Sequence, residues 1–97
     1  MMRVLWLSRA ETDLNELFDF LLERDVSAAN RVAGAIQGSV KLLAGQPGLG
    51  RPGRVAGTRE LVIPHTPYIV AYTVDPALDI VIVLRVLHGA RRWPTEL

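Results

Sequence analysis

Apolar and polar positions alternate with different periods along the chain, and the changes of period mark the elements. Met2 to Leu7, with Val4, Leu5 and Trp6 in its middle, predicts a short first strand. Ser8 follows with Glu11 three residues later, the spacing of a capping box that would satisfy two unpaired backbone N–H groups at a helix start. From there Ala10, Leu14, Leu17, Phe18, Leu21 and Leu22 recur at helical spacing with acidic residues between them, which predicts an amphipathic helix ending near Asp25. Ser27 is the expected cap of a second helix, whose stripe is Ala29, Val32, Ala33, Ile36, Val40 and Leu43 and whose stop signals are Gly45 and Pro47. A link of two or three residues between them forces an antiparallel hairpin. Gly34 and Gly38 weaken the second helix, and their missing side chains are expected to let another element approach closely.

Gly45 to Thr58 holds five of the eight glycines together with Pro47, Pro52, Arg51 and Arg54, a long connection of the kind that carries function or moves. Beyond it, Arg59 to Ile63, Tyr68 to Val74 and Ile80 to His88 read as three strands of an antiparallel meander. The middle strand alternates, with Tyr68, Val70, Tyr72 and Val74 on one face and Ile69, Ala71 and Thr73 on the other. The last is almost wholly apolar apart from Arg85 and is expected to be central and covered on both faces. The expected fold is α+β in one domain over residues 1–97: an antiparallel sheet, made of the N-terminal strand and the three-strand meander, packed against the helix hairpin with its other face open.

Composition narrows the chemistry. The 97 residues are 49% hydrophobic, enough to fill one core without staples, and none is Cys, so thiolate catalysis and Cys-held zinc are excluded. Neither of the two His has a paired ligand spacing, so no metal and no cofactor are expected. The N-terminal apolar run is too short for a secretion signal and no run is long enough for a membrane span, so a cytoplasmic protein without a membrane partner is expected. The net charge of +1 hides an asymmetry: residues 11 to 25 carry six carboxylates against Arg24, while residues 26 to 59 carry Arg31, Lys41, Arg51, Arg54 and Arg59 with no carboxylate. Ten of the eleven basic residues are Arg, which favours a partner that presents carboxylates or phosphates; a merely solvated Arg-rich surface accounts for the same composition.

Three segments could carry chemistry. His88-Gly89-Ala90-Arg91-Arg92-Trp93-Pro94 puts an imidazole, two guanidinium groups and an indole just past the last strand, where they could hold phosphates, stack a base or engage a protein groove. The same residues also fit a structural role, with His88 bonded to backbone, Trp93 packed on the core and the arginines solvated. Arg59-Glu60 follows Arg51 and Arg54, and Arg59 or Arg85 paired with Glu60 or Asp75 would be a surface salt bridge worth under about 1 kcal/mol. Pro64-His65-Thr66-Pro67-Tyr68 joins two strands and is expected to hold an exposed His65.

Four short stretches, in order, carry a resemblance: Ala10-Glu11-Thr12-Asp13-Leu14, Gly57-Thr58-Arg59-Glu60, Tyr68 with Tyr72, and Arg85-Val86-Leu87-His88 followed by Arg91. Together they resemble the RelE/ParE superfamily of bacterial toxins over essentially the whole chain. The resemblance implies the toxin of a type II toxin-antitoxin module of the plasmid-stabilisation kind, which arrests growth unless a cognate antitoxin covers it, and which meets operator DNA only through that antitoxin. RelE-like members cleave messenger RNA on the ribosome; for that activity the resemblance points to Arg59, His88 and Arg91 as catalytic candidates. Ile69 stands where such members supply an Arg, and the indole of Trp93 cannot transfer a proton at useful pH. ParE-like members are associated with poisoning DNA gyrase, and their ending is closer to this one, so the first expectation is a ParE-like gyrase inhibitor that is not an enzyme. Its expected target-binding residues are Arg91, Arg92, Trp93, Arg59 and Tyr68. The alternatives are the RelE-like ribonuclease, with ribosome and message as partners, and a toxin-fold protein that only binds other proteins.

Overall fold

Two helices and five strands follow one another as β1 (Arg3–Trp6), α1 (Ser8–Leu22), α2 (Val26–Leu42), β2 (Arg51–Pro52), β3 (Arg59–Val62), β4 (Tyr68–Asp75) and β5 (Ile80–His88) in a computed structural model that describes residues 1–97. The strands form one sheet in the order β1-β5-β4-β3-β2. β3, β4 and β5 make the antiparallel meander, but β1 lies parallel to β5, with Arg3 opposite Ile80 and Trp6 opposite Val83. The sheet is therefore mixed, which corrects the expectation of an antiparallel one.

The helix pair is the cause. α1 carries on in the sense of β1, since Leu7 N–H donates to the Val83 carbonyl and Asp13 reaches the Val86 N–H further along β5. α2 then returns the chain to where β1 began, and Met2 N–H donates to the Ala44 carbonyl at 2.8 Å. β3 thus starts in the same sense as β1, β4 reverses, and β5 again runs with β1. A helical return trip of this length is what a parallel neighbour requires.

The core lies between the hairpin and one sheet face. Ala10 and Leu17 of α1 and Val32, Ile36 and Val40 of α2 meet Leu61, Val70, Tyr72, Val81, Val83 and Val86. β4, not β5, is the central strand. On β5 Val81, Val83 and Val86 are buried while Ile82, Leu84 and Leu87 are only half-buried, so the expected double covering of that strand is corrected. Ala71 opposes Arg85 and Tyr72 opposes Val83, which leaves Leu84 as a bulge. The bulge resets the alternation, and both Val83 and Val86 face the core. The far face is less open than expected: Ile69 and Ala71 on β4 are buried there as well. Ile69 is crossed by Gly89, where an added Cβ would stand 3.1 Å from Ile69 Cδ1 and 3.3 Å from the Pro67 carbonyl oxygen, so the C-terminal segment passes close to the sheet there.

Both helix starts differ from expectation. Leu7 occupies the cap position of α1 without a side-chain cap bond, and Ser8 is already helical, because β1 leads straight into the helix and fixes its first turn one residue early. Asp25, not Ser27, caps α2: its Oδ1 accepts from Ala28 N–H at 3.1 Å. Gly34 and Gly38 have open space where a side chain would be, so they admit no close neighbour. No helix is long and apolar enough to cross a membrane.

Candidate functional site

The start of β4 and the end of β5 bring the chemistry-bearing residues together. Tyr68 lies opposite His88 in register, and their rings meet edge to face with centroids 5.7 Å apart. Past His88 the chain folds back in a tight turn: Gly89 N–H donates to the Pro67 carbonyl and Arg91 N–H to the His88 carbonyl. His88 Nδ1 accepts from Ala90 N–H at 3.1 Å, and the Trp93 indole N–H donates to the His88 carbonyl at 3.2 Å. Tyr68, His88, Arg91, Arg92 and Trp93 thereby line one cavity of about 350 Å³. Its opposite wall is α1, which supplies Asp13, Glu16, Leu17 and Phe20.

The cavity is two-sided in charge. Arg91 and Arg92 are exposed and form no ion pair, so both guanidinium groups face solvent at one wall. On the other wall Asp13 is already engaged. It accepts from Arg85 Nε at 2.7 Å and Nη2 at 3.0 Å, and from Val86 N–H at 2.9 Å. That stretch of β5 lies beyond the end of β1, so a carboxylate from α1 satisfies the backbone donor that a strand would otherwise pair. The Asp13 hydrogen bond raises the Arg85 pKa, against the opposing effect of burial, and the charges of Asp13 and Glu16 add to the rise.

A second ionic cluster sits on the far face of the sheet. Glu60 is only 3% exposed and accepts from Arg51 Nη2 and from Arg54 N, Nε and Nη2, at 2.8 to 3.2 Å. Burial pushes its carboxyl pKa up, but the side-chain and backbone bonds from Arg54, then the bond from Arg51, outweigh burial and lower it from 4.5 to about 2. The expected surface pairing of Arg59 or Arg85 with Glu60 or Asp75 is thus replaced by three ion pairs on two buried or nearly buried carboxylates, Glu60 and Asp13. The Arg54 guanidinium carbon lies 3.5 Å from the centroid of the Trp93 ring, which links this cluster to the cavity.

Arg59 stands apart. Its Nη1 donates to the Gly50 carbonyl at 2.7 Å, and it lines a separate hollow with Pro52, Gly57, Thr58 and Val74. Tyr72, the second tyrosine of β4, is fully buried, and its hydroxyl donates to Pro47 O and accepts from Gly50 N–H, tying the glycine-rich connection to the sheet. An added Cβ at Gly50 would stand 2.7 Å from the Tyr72 ring, so only glycine fits. His65 is exposed in the turn between β3 and β4. A third hollow, about 660 Å³, opens between β1 and the helices over Met2, Val4, Trp6, Leu14, Val40 and Ala44, with Glu11 and Lys41 at its rim.

Sequence reasoning passed over Glu16 and Phe20, quoted Asp13 only within a motif, and gave Glu60 a surface pairing with Arg59 or Arg85 instead of a buried one with Arg51 and Arg54. Asp13 had a signal, one Arg interrupting an apolar strand, which demands a carboxylate from a packed element. Glu60 had another, being the first carboxylate after a long stretch with basic residues only.

A curated protein of Sinorhizobium fredii named "Putative toxin Y4kP" is 39% identical over 95 residues, covering 98% of this chain and 96% of its own. Among solved structures, a chain of the chromosomal ParDE toxin-antitoxin system of P. aeruginosa superposes with a TM-score of 0.80 at 26% identity, covering 91% of this chain and 96% of that one. A chain of the E. coli RelBE toxin-antitoxin complex shares the fold, with a TM-score of 0.65 at 12% identity over 95% of this chain and all of that one. The family model described as the ParE toxin of the type II toxin-antitoxin system parDE matches residues 4–93, and the chain belongs to that toxin family within the RelE/ParE superfamily.

Proposed function

We propose that this toxin arrests growth by poisoning DNA gyrase, with the cavity between α1 and the C-terminal segment as its target-binding surface. The observation that carries the choice is the separation of Arg59 from His88 and Arg91. Message cleavage by these three would need both guanidinium groups and the imidazole converging on one phosphate within hydrogen-bond reach. Arg59 is instead bound to the Gly50 carbonyl and lines another hollow, and His88 Nδ1 is taken by Ala90 N–H. What remains at the cavity is two exposed guanidinium groups, an indole and a phenol, the residue types that anchor protein interfaces. Gyrase is named on the likeness of the His88-to-Arg91 ending to ParE-like members, and that target puts the toxin's action in the cytoplasm.

A cognate antitoxin is the second partner in this reading, and any contact with operator DNA runs through it. The apolar hollow between β1 and the helices supports it, since an amphipathic segment would cover Met2, Val4, Trp6 and Leu14. The solved P. aeruginosa and E. coli relatives come from toxin-antitoxin systems. The ribonuclease reading stays second, favoured by Tyr68, His88 and Arg91 sharing one cavity.

Two assays on the purified chain separate them. Inhibition of gyrase supercoiling with accumulation of cleaved DNA is expected, with message cleavage in a purified translation system at background. Site-specific message cuts that vanish in His88→Ala would install the ribonuclease; inactivity in both assays would leave only a binding role.

A further inference from the structure

We infer that Arg54, held in place by Glu60, is the positioning residue for the C-terminal segment: it docks Trp93 and so fixes where Arg91 and Arg92 stand at the cavity mouth. This inference rests on the reading of that cavity as the target-binding surface.

The segment after β5 has no regular structure of its own, and few contacts hold it. Its first residues bond back to Pro67 and His88, and at its other end Leu97 O accepts from Arg9 Nη1. Between these ends Trp93 is held on two sides. Its indole N–H reaches the His88 carbonyl, and its ring lies under the Arg54 guanidinium at 3.5 Å. A guanidinium at that distance from a ring is attracted by the negative π-face, and a fixed cation loses less freedom on stacking than a mobile one. Arg54 is fixed, because its backbone N–H, Nε and Nη2 all end on the two Glu60 oxygens. Glu60 in turn is buried in register with Ala71 in the middle of the sheet, so rigidity passes from strand to carboxylate to guanidinium to indole. Arg91 and Arg92 lie two residues and one residue before that anchor, exposed and unpaired, and their position follows from it.

Arg51 is the built-in control. It binds the same carboxylate through Glu60 Oε1 but does not stack on Trp93. Losing Arg51 should perturb the ionic cluster without releasing the segment.

The test pairs NMR of the full chain with growth arrest on graded expression. In Arg54→Ala the Trp93 indole N–H should lose protection from exchange, the amides of residues 90 to 97 should become mobile, and the expression needed for arrest should rise about tenfold. Arg51→Ala should leave all three unchanged. Should Arg54→Ala not fold, Trp93→Leu, which spares the ionic cluster, should give the same mobility of the segment, and Trp93→Tyr, which keeps a ring beneath the guanidinium, should restore its order. An unchanged indole signal in Arg54→Ala would overturn the docking. A released segment with undiminished arrest would overturn the positioning role. In that case Arg91→Ala with Arg92→Ala shows which reading failed: loss of arrest there leaves the cavity as target surface, and its persistence removes the cavity too.

Discussion

Glu60 receives hydrogen bonds from two guanidinium groups, and its buried oxygens can keep that role only while ionised. Its pKa is lowered from 4.5 to about 2 in the fold, so its contribution is complete above the unfolded value and disappears as pH falls from about 4.5 toward 2. The shift corresponds to on the order of 3 kcal/mol, and solvent around the half-exposed Arg51 and Arg54 reduces that toward about 1 to 2 kcal/mol. Urea unfolding of Glu60→Gln should show that deficit at pH 7 and a shallower loss of stability between pH 5 and pH 2 than the parent chain; an equally steep acid limb would assign the pH dependence to other carboxylates. Asp13 plays a similar part between α1 and β5, accepting from one guanidinium and one backbone N–H. Asp13→Ala leaves Arg85 nearly buried without a counter-charge and Val86 N–H without an acceptor, a cost of about 3 kcal/mol. Pairing it with Arg85→Met should recover part of the loss in the same unfolding assay, whereas full additivity of the two changes would deny the coupling.

Elements made by local pattern were legible in the chain, and those made by tertiary pairing were not. Ile80–His88 is an apolar run with turns on both sides, and it forms the strand it predicts. The stripe of α2 likewise buries Ala29, Val32, Ile36, Val40 and Leu43, whereas that of α1 buries Ala10 and Leu17 and leaves Leu14, Phe18, Leu21 and Leu22 half-buried. The direction of β1 against β5 escapes any local pattern, since it depends on α2 bringing Ala44 back to Met2. β2 escapes it too: Arg51 and Pro52 have no strand pattern and pair because Tyr72 and Glu60 hold their loop against β3. Of the candidate site, Tyr68, His88, Arg91, Arg92 and Trp93 follow from one strand pairing and the turn after it, while the α1 wall comes from packing. The C-terminal segment contributes nothing to the main core, which lies upstream of residue 87. Truncation after Gly89 should therefore leave a cooperatively folded chain that no longer arrests growth, read by thermal unfolding beside expression. A truncated chain that still arrests growth would move the toxic surface to the Arg51 to Arg59 connection, and one that fails to fold would make Trp93 part of the core.

At the scale of the whole molecule, opposite charges gather on different elements. α1 and its C-cap carry Glu11, Glu16, Asp19 and Glu23, while the connection after α2 and the C-terminal segment carry Arg51, Arg54, Arg91 and Arg92. A neutralising antitoxin segment that pairs carboxylates with these arginines while covering the hollow beside β1 should bind tightly and lose part of its affinity as salt rises, because apolar burial is unscreened. Calorimetric titration at low and high ionic strength checks this, and a salt-independent affinity would make the arginines bystanders. The target is tested most directly inside the cell. After induction of the full chain and of the chain truncated after Gly89, plasmid DNA and transcripts are recovered from the same cultures. Gyrase poisoning by the C-terminal surface predicts broken DNA, intact messages and no effect from the truncated chain; cut messages with intact DNA would contradict it.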